Sequence, residues 1–61
     1  MKLKIEITMD NAAFEQDAGE EAARILNRLS EQLQEWPGGN TFEIGLLDIF
    51  GNKVGEAKVT R

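Results

Sequence analysis

Residues 3–9 read Leu-Lys-Ile-Glu-Ile-Thr-Met, and apolar and polar side chains alternate through the whole stretch. A period of two that includes β-branched residues is typical of a half-buried strand. The apolar face of this predicted strand consists of Leu3, Ile5, Ile7 and Met9. This alternation is the strongest local signal of secondary structure in the chain. Asp10 and Asn11 predict a turn after the strand, and Phe14 is expected to fold back onto the core.

A one-sided apolar pattern follows, and it predicts an amphipathic helix of about five turns. Its apolar residues lie three and four positions apart, at Ala18, Ala22, Ile25, Leu26, Leu29, Leu33 and Trp36. Asp17 precedes the pattern as a candidate N-cap, and Glu20 completes an Asp-x-x-Glu capping pattern. Pro37 ends the helix, because proline cannot continue it and disfavours helical geometry at the residue before it.

The last third of the chain predicts a β-hairpin whose two-residue turn is Gly51-Asn52. The predicted pairs are Ile44 with Val59 and Leu46 with Ala57 on the helix side, and Leu47 with Glu56 and Ile49 with Val54 on the other side. We also expect that the small residues Gly55 and Ala57 leave room for the helix.

The strand, the helix and the hairpin combine into one domain that spans residues 1–61. A right-handed crossover makes the first two strands parallel, and the hairpin then inserts the third strand between them. The prediction is an α+β fold with β-α-β-β order in two layers. Its three-stranded antiparallel sheet has strand order 1-3-2, with one helix packed on one face.

The composition limits the chemistry that this chain can perform. The sequence contains no Cys, His or Tyr, and its seven Lys and Arg against eleven Asp and Glu give a net charge of −4. We therefore expect no catalytic residue, no metal site, no cofactor and no enzymatic activity. The acidic balance argues against nucleic acid as a partner. Charged residues interrupt the N-terminus and no apolar run is long enough to span a bilayer, so a cytoplasmic location without membrane contact is predicted.

Two surfaces are candidates for binding a partner. The first is an acidic patch at the start of the helix, formed by Glu15, Asp17, Glu20 and Glu21. The second is apolar and lies on the open sheet face and the hairpin tip, formed by Leu47, Ile49, Phe50 and Val54. Exposed contiguous apolar groups suggest a contact surface. The first strand also lies at a sheet edge, which is a place where strands pair with another chain.

Three segments of the chain carry a resemblance to a known group of proteins. They read KIEITMDNAAF at residues 4–14, EAARIL at 21–26 and GNKVG at 51–55. Together they resemble short phage, prophage and plasmid proteins of proteobacteria, a group with no established activity. The resemblance implies an origin in a mobile element and a bacterial host, and it carries no functional residue with it. Phe50 departs from the group, which commonly has Asn at that position.

These observations favour a small non-enzymatic protein-interaction module, with a protein of unknown identity as its partner. One alternative is an anti-defence inhibitor, an anti-CRISPR or anti-restriction protein, whose carboxylates take the place of phosphates. A second is a self-assembling structural protein, a homodimer that uses the first strand together with Leu47, Ile49 and Phe50. A basic stripe of Lys2, Lys4, Lys58 and Arg61 is opposed by Glu6, Glu43 and Glu56, which disfavours a nucleic-acid binder.

Overall fold

The predicted architecture is confirmed by the computed structural model, which describes all residues 1–61. The elements are β1 (Lys2–Ile7), a 3₁₀ helix (Ala12–Phe14), α1 (Ala18–Glu35), β2 (Phe42–Leu47) and β3 (Lys53–Thr60). The sheet has order β1-β3-β2, and both strand pairs are antiparallel. The chain is thus an α+β fold with one helix on a three-stranded sheet.

The helix begins and ends where the sequence predicts. The Asp17 carboxylate accepts a hydrogen bond from the Glu20 amide at 2.9 Å and caps the first turn. Trp36 is the C-cap, and its ring packs on Phe42 at the start of β2 with 5.5 Å between centroids. Caps at both ends fix the length of α1, which packs against the 3₁₀ helix and β2.

The first strand is shorter than predicted and ends at Ile7 instead of Met9. The Thr8 amide still donates to the Val54 carbonyl at 2.8 Å, but the chain then leaves the sheet for the 3₁₀ helix. Asn11 caps that helix by accepting from the Ala13 amide at 3.1 Å. The short helix places Phe14 in the core, as predicted.

The hairpin register differs from the prediction by two residues. Ile44 pairs with Ala57, and Leu46 pairs with Gly55. The predicted two-residue turn is wrong because the turn spans the five residues 48–52, closed by a hydrogen bond from the Asp48 amide to the Asn52 carbonyl at 2.9 Å. Since the shift is an even number, Ile44, Leu46, Ala57 and Val59 keep their predicted inward positions.

A bulge on β3 changes where Val54 points. Leu46 pairs with Gly55 and Leu47 pairs with Lys53, so Val54 is an extra residue without a partner on β2. Val54 is buried among the core residues, and its predicted place on the open sheet face is wrong. Leu47 lies on that face and is exposed, as predicted. The core cluster consists of Phe14, Ile25, Leu29, Leu46, Val54 and Ala57.

Gly55 makes room for β1, and the expectation that it makes room for the helix is wrong. A Cβ atom on Gly55 would overlap the carbonyl oxygen of Glu6 and lie 2.9 Å from the Cα of Ile7. The obstruction is backbone, which cannot move aside as the end of a side chain can. A side chain at Gly55 would therefore push β1 away from β3.

We expect Gly55→Ala to lower the free energy of unfolding by about 1–3 kcal/mol, the usual cost of overpacking. Urea unfolding followed by the fluorescence of Trp36 measures this change. Gly45→Ala on β2 is the matched control, because its Cβ would meet only the side chain of Lys53 at 3.4 Å. The control is expected to be neutral or stabilising by up to about 1 kcal/mol. Equal stability of the two variants would contradict the steric account of Gly55.

Candidate functional site: the hairpin tip

The turn between β2 and β3 is organised by Asp48, which is only 3% exposed. Its Oδ1 atom accepts the backbone amides of Phe50 and Asn52, both at 2.9 Å. Its Oδ2 atom accepts the Asn11 side-chain amide at 2.6 Å. Asp48 therefore fixes the turn and joins it to the cap of the 3₁₀ helix. We call residues 48–52 the tip turn.

A second carboxylate reaches the tip turn from the helix. Glu21, which is 7% exposed, accepts the Ile49 amide at 2.8 Å. Its other oxygen accepts from Arg24 Nε at 2.7 Å, and Arg24 also donates to the Leu47 carbonyl at 3.1 Å. Glu21 and Arg24 thus tie the second turn of α1 to the end of β2.

Both carboxylates are held in the charged form. The Arg24 guanidinium beside Glu21 and the Ile49 amide lower the pKa of Glu21 against the opposing effect of burial. Burial alone raises the pKa of Asp48, but the hydrogen bonds from Asn52, Asn11 and Phe50 together outweigh it, and the pKa is lowered. These contacts therefore stabilise the fold more strongly when the two groups are ionised than when they are protonated.

Every backbone amide of the tip turn has an acceptor. In addition to the four bonds described above, the Gly51 amide donates to the Asp48 carbonyl at 3.0 Å. Gly51 has a φ of 85°, a left-handed conformation that favours glycine. The amides of the turn are thus all hydrogen-bonded, while the side chains of Ile49 and Phe50 are 64% and 67% exposed.

The tip turn borders an open depression of about 510 Å³ that also includes the start of the helix. Its lining residues are Ala12, Ala13, Glu15, Gln16, Asp17, Glu20, Glu21, Arg24, Ile49 and Phe50. We call this surface the tip depression. It brings together four predicted acidic residues and two predicted apolar residues, which the sequence placed on separate surfaces. Leu47 and Val54 lie outside it.

Glu21 differs from the other acids of the predicted patch. Its carboxylate is buried and bonded to Arg24 and Ile49, so its predicted role on an exposed surface is wrong. Glu15 and Glu20 are exposed, and Asp17 is exposed but uses one oxygen for the helix cap. The rim of the tip depression therefore carries three outward carboxylates.

Two residues that organise the site were not predicted from the sequence. Because the predicted hairpin pairs Ile49 with Val54, it places Asp48 within a strand, and Asn11 is predicted only as a turn residue. In the structure the two side chains meet in one hydrogen bond across the fold. A signal for Asp48 was present, since Asp followed three positions later by Gly51 is typical of a type I turn. No local signal pairs Asn11 with Asp48, because they are distant in sequence.

The open sheet face carries charges of both signs in an unusual arrangement. Lys4 lies opposite Lys58, and Glu6 lies opposite Glu56. Only Lys58 has an opposite charge near it within the chain, the Glu43 carboxylate at 3.7 Å. The predicted basic stripe is thus interrupted by acids, and Arg61 donates to the Gly39 carbonyl at the far end.

No family model, curated protein or solved structure matches this chain. The resemblance to phage and plasmid proteins stays a prediction. The structure contains no group of three acidic, His or Cys side chains arranged to hold a metal ion. Neither does it contain a helix with the length and hydropathy that crossing a bilayer requires.

The two lowered pKa values predict a loss of stability in acid. Because the folded pKa values lie below the ordinary 4.5 for Glu21 and 3.8 for Asp48, their contribution is complete above about pH 5 and is lost as the pH falls through the folded values. Thermal unfolding between pH 7 and pH 2 measures this loss. Glu21→Gln and Asp48→Asn should each lower stability at neutral pH. Each should also reduce the amount by which stability falls between pH 5 and pH 2.

Glu31→Gln is the matched control, since Glu31 is an exposed carboxylate on the same helix without a hydrogen bond. It should leave the pH profile unchanged. The assignment of Glu21 and Asp48 as stabilising carboxylates would be contradicted if stability fell as steeply with decreasing pH in both Glu21→Gln and Asp48→Asn as in the wild-type chain.

Proposed function

We propose that this chain is a small non-enzymatic protein-interaction module that binds its partner through the tip depression. The observation that carries the proposal is the exposure of Ile49 and Phe50 on a turn whose backbone amides are all hydrogen-bonded. Two large apolar side chains are thus held in water on a fixed support. The resemblance to phage and plasmid proteins supports a bacterial cytoplasm as the place of action.

The energetics of the tip favour binding. Burying one large apolar side chain in a partner is worth about 1.5–3 kcal/mol. A flexible turn would lose part of that gain when it became ordered, whereas the bonds from Asp48 and Glu21 order this turn in the free chain. Ile49 and Phe50 are therefore suited to act as the anchor residues of an interface.

The acidic rim indicates the chemistry of the partner. Glu15, Asp17 and Glu20 surround the apolar pair on the side of the helix start. A complementary surface has an apolar pocket for Phe50 bordered by Lys or Arg side chains. Grooves that bind nucleic acid have such borders, and this arrangement supports the second candidate function, an anti-defence inhibitor that blocks an anti-viral nucleoprotein.

The double substitution Ile49→Ser and Phe50→Ser tests the proposal by affinity capture from a lysate of a bacterial host, with mass spectrometry of the retained proteins. We expect the wild-type chain to retain a defined partner and the double variant to retain at least about tenfold less, as expected when two anchors of this size are lost. Because both side chains are exposed, the unfolding transition of the variant should stay close to that of wild type.

Leu47→Ser is the matched control, since Leu47 is also an exposed apolar residue but lies outside the tip depression. It should retain the partner at wild-type yield. Equal retention by the double variant, or a loss caused by Leu47→Ser instead, would overturn the proposal.

The charge reversals Glu15→Lys and Glu20→Lys separate the two candidate functions. For an inhibitor that occupies a basic groove, the reversals should weaken binding and reduce or invert its dependence on salt, because attraction at two positions becomes repulsion. Retained binding with an unchanged salt dependence would exclude the groove-blocking mechanism and leave the apolar anchors as the basis of recognition.

A further inference from the structure

The outer edge of β1 is unpaired, and the contacts with β3 determine which residues direct their backbone groups outward from it. β1 pairs only with β3. The Thr8 amide donates to Val54 on β3, and the direction of backbone groups alternates along an antiparallel strand. The amides and carbonyls of Leu3, Ile5 and Ile7 therefore point away from β3. These groups form a template for another strand.

The same strand exposes apolar side chains that one helix does not cover. Leu3 and Ile5 lie opposite the buried residues Val59 and Ala57, and so belong to the helix side of the sheet. They are nevertheless 47% and 42% exposed, because α1 packs over β2 and the 3₁₀ helix. An apolar strip thus runs along the edge of the sheet.

The helix adds one more apolar side chain to this strip. Arg24 reaches the β2 side of the helix, where it contacts Leu47. Leu26 is rotated from Arg24 by about 200° around the helix axis, which places it on the β1 side. Leu26 is also exposed, so both layers of the fold are apolar along the β1 edge.

On the opposite face of β1, neither Lys4 nor Glu6 forms an ion pair within the chain. Lys4 lies across from Lys58, and Glu6 lies across from Glu56. Like charges directly opposite each other destabilise an antiparallel pair. The free side of Lys4 therefore favours an acidic neighbour, and the free side of Glu6 favours a basic one.

We propose that the partner at this edge is a second copy of the chain, with the two β1 strands paired antiparallel about Ile5. In this register Ile5 meets Ile5, Leu3 meets Ile7, and Lys4 meets Glu6 of the second copy. The residues whose backbone groups point outward become the hydrogen-bonded pairs, each of which exchanges two bonds. The inference is independent of the proposed function, because β1 lies outside the tip depression.

Neighbouring registers fit less well. Centring the pair on Lys4 places the two Lys4 side chains opposite each other, and centring it on Glu6 does the same for Glu6. A register in which one β1 strand slides by a single residue along the other places apolar side chains opposite charged ones. Pairing about Ile5 forms one continuous sheet with both helices on the same face, and a Leu26 side chain stands on each side of the new strand pair.

Single charge reversals test this register. Lys4→Glu places the new carboxylate opposite Glu6 of the second copy at two symmetric positions, and Glu6→Lys creates the corresponding Lys pairs. Each should weaken the dimer at least on the order of tenfold, measured by sedimentation equilibrium up to high micromolar concentration. An equimolar mixture of the two variants should form a heterodimer, because every pair across the edge then has opposite charges.

Urea unfolding of the same variants shows whether a loss of the dimer is caused by a loss of folding. Each reversal removes a like-charge pair with β3, so both monomers should unfold at an equal or higher urea concentration than the wild-type monomer. Phe50→Ser should leave the dimer unchanged. The inference is overturned if the wild-type chain is monomeric at high micromolar concentration, if Lys4→Glu dimerises as wild type does, or if the mixed variants stay monomeric.

Discussion

The buried carboxylate of Asp48 is the contact on which the other parts of the fold depend. It accepts two amides of the tip turn and the side chain of Asn11, so one group joins the hairpin to the segment that follows β1. An unpaired buried charge is costly, and Asp48 is tolerated because these donors replace the water it loses. Its backbone amide also closes the five-residue turn on the Asn52 carbonyl, directly beside the bulge at Val54.

Glu21 extends the same principle to the helix. Its bond to the Ile49 amide and its ion pair with Arg24 connect α1 to the tip turn at the one place where the helix approaches the hairpin end. Small domains bury little surface, and their loops are mobile unless specific contacts fix the loop backbone. Here two buried carboxylates hold the tip, and its exposed apolar pair becomes a fixed surface.

The sequence was sufficient for the fold class, because periodicity and capping are local signals. The alternation in residues 3–9 and the Asp17 cap predict β1 and α1. The inward faces of the hairpin are also predicted correctly, except at Val54. The length of the turn was predicted wrongly, because Gly51-Asn52 has the composition of a two-residue turn. The longer turn is set by the Asp48 carboxylate, which accepts the Phe50 and Asn52 amides. The site was predicted as two separate surfaces, since only the folded chain brings Glu20 beside Phe50. The burial of Glu21 depends on Ile49, a contact without a local signal in sequence.

Amide hydrogen exchange at the tip turn, measured residue by residue by NMR, tests most directly whether the carboxylates hold this surface rigid. The side chains of Ile49 and Phe50 are exposed, so their amides would exchange freely in an unsupported loop. We predict that the amides of Ile49, Phe50 and Asn52 are protected to nearly the same degree as those of β3, and that Asp48→Ala removes the protection of Phe50 and Asn52. Exchange of these amides at the rate of an unstructured peptide in the wild-type chain would contradict the account.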